Sequence, residues 1–210
     1  MNKMINRILP LTENKLRILK EIYEKKEIYL LEISRNLKIH PFSAQKTLKS
    51  IKSLLEEKKR GKTFILSINK RLNDYFEIIC FIEYFKLETK NRDLIILIKN
   101  LQEFFSSDKN VLSCILFGSY ARESHSEKSD IDILFVVKFK DKEILNKCRN
   151  LSSLLSKEVN PIILNEKEFL IALKTKEPMI ATILEPSQRL LITGKEYFLK
   201  NTLGVNKESI

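Results

Sequence analysis

The stretch that decides the fold is Val111-Leu112-Ser113-Cys114-Ile115-Leu116-Phe117-Gly118-Ser119, followed by Asp130-Ile131-Asp132 and a further apolar run through Val137. The two apolar runs predict two buried strands, with a Gly-Ser pair directly after the first. Alternate residues of a strand share a face. We therefore expect Asp130 and Asp132 to project together, ~6.5 Å apart along the strand.

These residues suit the chemistry of phosphates and divalent metals. Two carboxylates on one strand face can share divalent cations, which bind the attacking and leaving oxygens in phosphoryl transfer. Gly118 lets the backbone approach a phosphate closely, and a helix that begins near Ser119 directs free N–H groups at it. The pattern predicts a phosphate cradle beside metal-binding carboxylates. The alternative is a turn followed by a solvated acidic edge.

This segment resembles the nucleotidyltransferase superfamily that includes DNA polymerase β, whose signature is Gly-Ser, a short segment and Asp-x-Asp between two strands. The likeness is strongest to the minimal nucleotidyltransferases of archaea and bacteria, and it is carried by Gly118-Ser119-Tyr120-Ala121-Arg122-Glu123 and Lys128-Ser129-Asp130-Ile131-Asp132-Ile133-Leu134. The resemblance implies catalytic, metal-binding roles for Asp130 and Asp132. It implies nucleotide-binding roles for Gly118, Ser119, Arg122 and Lys128. It also implies Mg²⁺ or Mn²⁺ as the metal and an NTP, ATP foremost, as the substrate.

In that superfamily a third carboxylate comes from the next strand. Here the matching strand is predicted over 159–164, and Asn160 holds the expected position. Asparagine offers a metal an amide oxygen without charge, whereas hard cations gain affinity from ligand charge. Glu158 and Glu166 are the alternatives. Glu158 is preferred as the third metal ligand because it lies two positions before Asn160 on the same strand face.

Three classes of function fit these residues. The first is an enzyme that transfers a nucleoside monophosphate from Mg–NTP to an acceptor hydroxyl; the resemblance implies a HEPN-type toxin as the partner, with this chain as antitoxin. The second is a DNA-binding transcriptional regulator or antitoxin whose nucleotidyltransferase-like domain binds nucleotide or a partner with little turnover, which Asn160 favours. The third is a protein-interaction scaffold.

The charge of the chain is unevenly distributed. Residues 1–70 hold 17 Lys and Arg against 7 Asp and Glu, a net charge of +10, whereas residues 71–210 hold 21 against 20, a net charge of +1. A basic first third beside a nearly neutral remainder predicts a module that binds a polyanion. A general enrichment in lysine is the alternative, but it would be spread over both parts.

The N-terminal pattern predicts three helices, a basic turn and a strand. Apolar residues at helical spacing predict helices over 13–25, 30–37 and 41–56. The turn and the strand follow at 58–62 and 63–68. This order resembles a winged helix-turn-helix domain, which implies that the helix from Pro41 enters a DNA major groove and that the hairpin contacts backbone or minor groove. Small domains of this kind also serve as docking or dimerisation modules.

The DNA contacts implied by this resemblance divide by their chemistry. Ser43 and Gln45 can reach base edges. The basic side chains mainly contact phosphates of double-stranded DNA: Lys46, Lys49, Lys52, Arg60 and Lys62.

The predicted fold class is α+β with three parts: a winged helix-turn-helix domain (1–70), a helical connector (71–106) and a mixed α/β domain of the nucleotidyltransferase fold (107–210). In the connector, helices are predicted over 72–87 and 92–105. The first is apolar around much of its circumference, which indicates burial between domains or in a homodimer. In the third part, strands and helices alternate up to Gly194.

Composition excludes several classes. No segment has the ~20 apolar residues of a membrane span, and Met1–Arg7 lacks the apolar core of a signal peptide. Cys80, Cys114 and Cys148 are odd in number and lie in apolar surroundings, which indicates free thiols of a reducing compartment. We therefore expect a cytoplasmic protein without membrane contact. His40 and His125 are isolated, so no zinc site is expected.

Overall fold

A computed structural model of the chain describes residues 11–205. It divides into two compact units, with the boundary between Phe85 and Lys86. Within the described range, no helix has the length and apolar character needed to cross a bilayer. The prediction made for Met1–Arg7 lies outside the described residues.

Three helices and a three-stranded antiparallel sheet begin the first unit. The helices are α1 (Glu13–Lys25), α2 (Leu30–Leu37) and α3 (Pro41–Ser50), and the strands are β1 (Ile28–Tyr29), β2 (Leu55–Arg60) and β3 (Thr63–Ile68). The strands lie in the order β1-β3-β2. Leu19, Ile33 and Ala44, one from each helix, are fully buried and contribute to the core.

The turn between α2 and α3 is set by local chemistry. Lys38 adopts a left-handed conformation at φ 53°, which ends α2. His40 then accepts a hydrogen bond on Nδ1 from the Phe42 N–H at 3.2 Å. Pro41 occupies the first turn of α3, where its fixed φ suits the helix and its missing N–H costs nothing.

The helix predicted over 41–56 is wrong beyond Ser50. Lys52–Leu54 forms a single 3₁₀ turn, and the next residues form β2, which pairs with β3 along its whole length. The turn is therefore shorter than the predicted range of 58–62 and consists of Gly61, at φ 62°, and Lys62. Pairing with an available strand overrides the helical spacing of the apolar residues, since intrinsic helix propensity is a weak preference.

Two further helices follow, α4 (Tyr75–Glu88) and α5 (Arg92–Phe105). The Asn91 side chain caps α5 by accepting a hydrogen bond from the Leu94 N–H at 2.9 Å. On α4, Ile78, Ile79 and Ile82 are buried, whereas Tyr84 is exposed. The helix predicted over 72–87 thus begins three residues later than expected.

A four-stranded sheet forms the centre of the second unit. Its strands are β4 (Val111–Phe117), β5 (Ile131–Val137), β6 (Val159–Asn165) and β7 (Arg189–Thr193), in the order β6-β5-β4-β7. Only β5 and β6 pair in parallel. Most side chains of β4 and β5 are buried, as expected for central strands that are apolar on both faces. Pro161 lies in the edge strand β6, where the missing N–H of proline is tolerated.

Helices surround this sheet. They are α6 (Gly118–Ala121), α7 (Lys142–Leu155), α8 (Glu166–Thr175), α9 (Pro178–Leu184) and α10 (Lys195–Val205). The last was not predicted. It begins after Gly194, where φ is 65° and a Cβ atom would overlap the Leu112 carbonyl oxygen, so only glycine fits. The chain is α+β, as predicted.

The three cysteines are free thiols, as expected from their surroundings. Cys114 and Cys148 are buried in the second unit. Burial raises the pKa of Cys148 to about 12, so its thiol stays protonated at neutral pH.

Candidate active site

The two predicted aspartates lie where the chain enters the central strand β5. Asp132 is the second residue of the strand and pairs with Phe117 on one side and Asn160 on the other. Asp130 immediately precedes the strand and is exposed. Burial raises the pKa of the Asp132 carboxyl, and the charge of Asp130 raises it further. The structure therefore brings the two carboxylates together.

Gly118 lies directly beneath the Asp132 carboxylate. It follows Phe117, the strand partner of Asp132, and its φ is 73°. A Cβ atom at this position would overlap the Asp132 carboxylate. Glycine is needed for two reasons, because it tolerates positive φ and because it leaves room for the carboxylate. Gly118, at the end of β4, and Asp132, near the start of β5, are therefore in close contact and depend on each other for space.

Ser119 lies on a helix of a single turn. The helix predicted to begin near Ser119 starts at Gly118 and ends at Ala121. Glu123, at φ 58°, then turns the chain. The Ser119 carbonyl accepts a hydrogen bond from the Ser124 N–H at 3.0 Å. Ser119 itself is half-buried beside Gly118, which leaves it next to the carboxylates.

Asn160 presents its amide to the carboxylates. Its Nδ2 donates a hydrogen bond to Asp130 Oδ2 at 3.3 Å, and its hydrogen bonding also acts to lower the pKa of Asp132, which burial and Asp130 raise overall. The position at which the superfamily carries a third carboxylate is therefore occupied by a neutral hydrogen-bond donor. An amide offers no negative charge to a metal and cannot serve as a general base.

The alternative third ligands lie elsewhere. Glu158 is exposed just before β6, and its carbonyl accepts a hydrogen bond from the Ile131 N–H at 2.8 Å. Glu166 lies at the far end of β6 and accepts a hydrogen bond from the Tyr197 hydroxyl at 3.1 Å. Among residues 11–205, no group of three or more His, Cys, Asp and Glu side chains is arranged to hold a metal ion. The structure does not bring Glu158 together with the aspartate pair.

The two predicted cations are both exposed, in the segment before Asp130. Arg122 follows α6, and its Nη1 donates a hydrogen bond to Gln188 Oε1 at 3.4 Å. The charge of Arg122 acts to lower the pKa of Asp132, against the larger effects of burial and of Asp130 that raise it. Lys128 lies further along the segment.

Sequence reasoning missed the contacts that fix the segment 122–129. The Lys90 ammonium lies 2.7 Å from Glu123 Oε1, and Lys157 Nζ donates to the Glu127 carbonyl at 2.6 Å. The His125 ring stacks on Tyr120, with 4.1 Å between ring centroids. Both lysines lie outside the motif, so no local pattern identifies them.

A buried arginine beside the site serves the fold. Arg189 is the strand partner of Phe117. Its Nη1 donates hydrogen bonds to the carbonyls of Ile183 at 3.0 Å and Leu184 at 2.6 Å. The guanidinium also lies 4.9 Å from the centroid of the Phe198 ring. These contacts hold the segment before β7 against the sheet.

The predicted DNA-contacting residues are all exposed in the first unit. Ser43, Gln45, Lys46 and Lys49 lie on α3, Lys52 in the 3₁₀ turn, Arg60 at the end of β2 and Lys62 in the hairpin turn. Lys52 also lies 3.9 Å from Glu57 in an exposed ion pair.

Comparison with known proteins bears on the second unit. The family model described as "Polymerase beta, Nucleotidyltransferase" matches residues 99–193, a range that includes all four strands of the sheet and the site. A Methanocaldococcus jannaschii protein named "Putative protein adenylyltransferase MJ1305" is 30% identical over 115 residues, which are 49% of this chain and 76% of that protein. The chain belongs to the polymerase β nucleotidyltransferase family.

Two solved structures are also similar to this chain. A crystal structure of a toxin–antitoxin with AMP-PNP is 17% identical, covers 53% of this chain and 87% of its own, and has a TM-score of 0.38. The tri-AMPylated Shewanella oneidensis HEPN toxin in complex with MNT antitoxin gives 15% identity, 60% and 85% coverage and a TM-score of 0.33. Both scores are low, so membership of the family rests on the sequence matches.

Proposed function

We propose that this protein transfers a nucleoside monophosphate from an NTP, ATP foremost, to an acceptor hydroxyl. The observation that carries the proposal is the position of Gly118 beneath the Asp132 carboxylate, with Asp130 beside it. The backbone of Gly118, which carries no side chain, therefore lies next to two carboxylates at one end of the sheet. A triphosphate and its cation require these two features side by side.

The reaction follows from the groups present. The acceptor oxygen forms a bond to the α-phosphorus, the bond from that phosphorus to the oxygen bridging to the β-phosphate breaks, and pyrophosphate leaves. The acceptor proton passes to water, and the Asn160 amide does not take part in that transfer. The Ser119 hydroxyl and N–H would bind a phosphate oxygen, while Arg122 and Lys128 would balance triphosphate charge.

The donor set fits a hard divalent cation such as Mg²⁺ or Mn²⁺. Asp130 and Asp132 are like charges placed together, and burial combined with this proximity raises the pKa of Asp132. A cation held by both carboxylates relieves that repulsion. When bound, the metal neutralises phosphate charge. Glu158 would join as a third ligand only if its exposed side chain turned toward the pair.

For the acceptor we propose a hydroxyl group on a partner protein. The relative with 30% identity is named a protein adenylyltransferase, which favours ATP and a protein acceptor. The resemblance to minimal nucleotidyltransferases adds a small helical HEPN-type toxin as the kind of partner, with this chain as the antitoxin.

Label transfer tests this proposal. The protein is incubated with Mg²⁺, ATP labelled at the α-phosphate and either a co-expressed helical partner or cell extract. We expect covalent label on an acceptor protein, dependent on Mg²⁺ and absent from the double variant Asp130→Asn, Asp132→Asn. Label of equal intensity in wild type and double variant would contradict the assignment of the site.

A second candidate is a regulator or antitoxin that binds nucleotide or a partner with little turnover. The Asn160 amide favours it, because the third metal position then carries a donor directed at Asp130 rather than a charge. Tight binding of Mg–ATP by calorimetry, combined with no label transfer to any acceptor, would support this candidate over the transferase.

For the first unit we propose a winged helix-turn-helix domain that binds double-stranded DNA. Three helices followed by the β2–β3 hairpin support it, as does the net charge of +10 over residues 1–70. Helix α3 would enter the major groove, with Ser43 and Gln45 at base edges, and the hairpin would lie on the backbone or in the minor groove. A docking module is the competing proposal.

We make three further proposals. The first is that the chain is organised as a domain over 1–70, a connector over 71–106 and a domain over 107–210. A homodimer through residues 72–87 is another, with the exposed Tyr84 as its contact. The third is action in the cytoplasm, where the free thiols are stable.

A further inference from the structure

The segment between the Gly-Ser pair and the aspartates is fixed at several points. The Ser124 N–H donates to the Ser119 carbonyl at 3.0 Å, and the Ser126 N–H donates to Ser129 Oγ at 2.9 Å. Lys157 holds the middle of the segment through the Glu127 carbonyl. Lys90 holds its beginning through Glu123. These contacts fix the path of the segment.

In the Lys90–Glu123 ion pair the lysine side chain is more buried than in the Lys147–Asp108 pair, where it is 24% exposed, whereas the Glu123 side chain (37%) is more exposed than that of Asp108 (11%). The Lys90 side chain is only 8% exposed, against 49% for Lys140, which pairs with Glu168 at 2.8 Å. Removing an ammonium group from water is costly, and one good partner rarely does more than offset the cost. The burial of Lys90 with an acidic partner is therefore weak evidence for a purely stabilising role.

A further role is indicated by the contacts of Glu123. Its own N–H donates to the Tyr120 carbonyl at 3.1 Å, and the N–H of the preceding Arg122 donates to the Gly118 carbonyl at 3.3 Å. Glu123 also has φ 58°, a conformation that a side chain adopts at a cost. Holding the Glu123 carboxylate holds this turn, and the turn sets the direction of Arg122, whose Nη1 donates a hydrogen bond to Gln188 Oε1 at 3.4 Å.

We propose that Lys90 is a positioning residue for the nucleotide. Through Glu123 it fixes the turn after α6, so that Ser119 and Arg122 are oriented toward the triphosphate before it binds. The proposal rests on the nucleotide-binding function proposed above. Partners that orient metal ligands typically change metal affinity or activity by about 10–100-fold, and we expect the lower end of that range for Lys90 because it acts through Glu123.

Calorimetric titration of the full chain with Mg–ATP tests the role. Lys90→Met and Glu123→Gln are each expected to weaken affinity about tenfold. Lys140→Met is the matched control, because it removes an ion-paired lysine away from the site, and we expect wild-type affinity. Lys90→Arg should keep most of the affinity. The exchanged pair Lys90→Glu, Glu123→Lys should recover part of the loss of each single variant.

Amide hydrogen exchange without nucleotide gives a second readout. Lys90→Met should speed exchange in residues 122–129, whereas Lys140→Met should not. Wild-type affinity in Lys90→Met, or equal losses in Lys90→Met and Lys140→Met, would overturn the positioning role while leaving the proposed function intact. No Mg–ATP binding by the wild type would overturn both, and faster exchange in Lys90→Met would then show that the pair only stabilises the fold.

Discussion

The Asn160 amide donates a hydrogen bond to Asp130 Oδ2 at 3.3 Å. The two residues come from different elements, Asp130 from the segment before β5 and Asn160 from the parallel neighbour β6. The resemblance implies a third carboxylate at this position, and here the position holds a neutral hydrogen-bond donor to Asp130. An amide repels the two aspartates less than a third carboxylate would, and it offers no charge to a cation.

We predict that Asn160→Asp strengthens Mg²⁺ binding and increases label transfer. A third carboxylate adds charge where the metal sits, and ligand charge raises the affinity of hard cations. Calorimetry with Mg²⁺ and the label-transfer assay measure the two effects. The control is Asn165→Asp at the other end of β6, where the side chain caps α8. If Asn160→Asp changes nothing while Glu158→Gln abolishes transfer, Glu158 is the third ligand.

Gly118→Ala should abolish Mg–ATP binding and destabilise the fold more than Gly61→Ala. Both glycines have positive φ, 73° and 62°, so each substitution costs roughly 1–2 kcal/mol of backbone strain. At Gly118 the new Cβ also overlaps the Asp132 carboxylate, whereas at Gly61 it meets nothing within 4 Å. Urea unfolding and calorimetry separate the two effects. Equal losses of stability and unchanged nucleotide affinity would contradict the close approach of Gly118 and Asp132.

Asp132→Asn should leave the metal-free protein as stable as wild type or more stable at pH 7, although it removes a site residue. Burial and the charge of Asp130 raise the pKa of Asp132. A raised pKa means that the protonated form is favoured in the fold. The stability that this group contributes is present below its ordinary pKa and is lost as the pH rises through the raised value. The neutral amide avoids that loss.

Asp108→Asn should, in contrast to Asp132→Asn, lower the free energy of unfolding at pH 7. Burial acts to raise the pKa of Asp108, but hydrogen bonds from Lys147, at 2.5 Å, and from backbone N–H groups lower it overall. Its contribution is present above the ordinary pKa and is lost as the pH falls, so Asp108→Asn should cost about 2 kcal/mol at pH 7. Urea unfolding of Asp132→Asn and Asp108→Asn between pH 3 and 8 checks these two predictions. Destabilisation of similar size in both variants at pH 7 would contradict them.

Changing Lys46 and Lys49 to Ala should weaken binding of the full chain to every DNA duplex. Loss of two phosphate contacts should flatten the plot of log K against log salt by about two. Gln45→Ala should mainly change sequence preference, because this side chain is placed to reach base edges. Fluorescence anisotropy at several salt concentrations measures both. Lys138→Ala with Lys142→Ala, exposed lysines of the second unit, is the matched control. A chain that binds no duplex at low salt would favour the docking module.

Much of the fold could be read from local pattern. The bounds expected for α1, α2, α5, β3 and β4 agree with the structure, because each is a periodic or apolar run ended by a clear turn. The end of α3 could not be predicted from the sequence. Leu55 continues the helical spacing of apolar residues, but residues 55–60 form a strand because they pair with β3. Competition between a local helix and a distant strand is decided by tertiary pairing.

The site was predictable to the extent that its chemistry lies within the motif. Gly118, Asp130 and Asp132 come together because two neighbouring strands pair next to the turn that joins them. The Lys90–Glu123 contact joins residues 33 apart in sequence, and nothing in the pattern near Lys90 distinguishes it from the other lysines. Glu123 can be identified as the partner of Lys90 only from the structure, which places the connection between α4 and α5 next to the turn after α6.

The strands that carry the site, β4, β5 and β6, are consecutive in the chain and adjacent in the sheet, and β7 is added on the side away from β6. Gly118, Asp130, Asp132 and Asn160 are therefore supplied by one unbroken piece of polypeptide. Such a piece can be moved as a block during evolution and joined to unrelated N-terminal modules without dismantling its geometry. The same continuity means that only short chain loops have to close to bring the four residues together, which keeps the entropy cost of their assembly low.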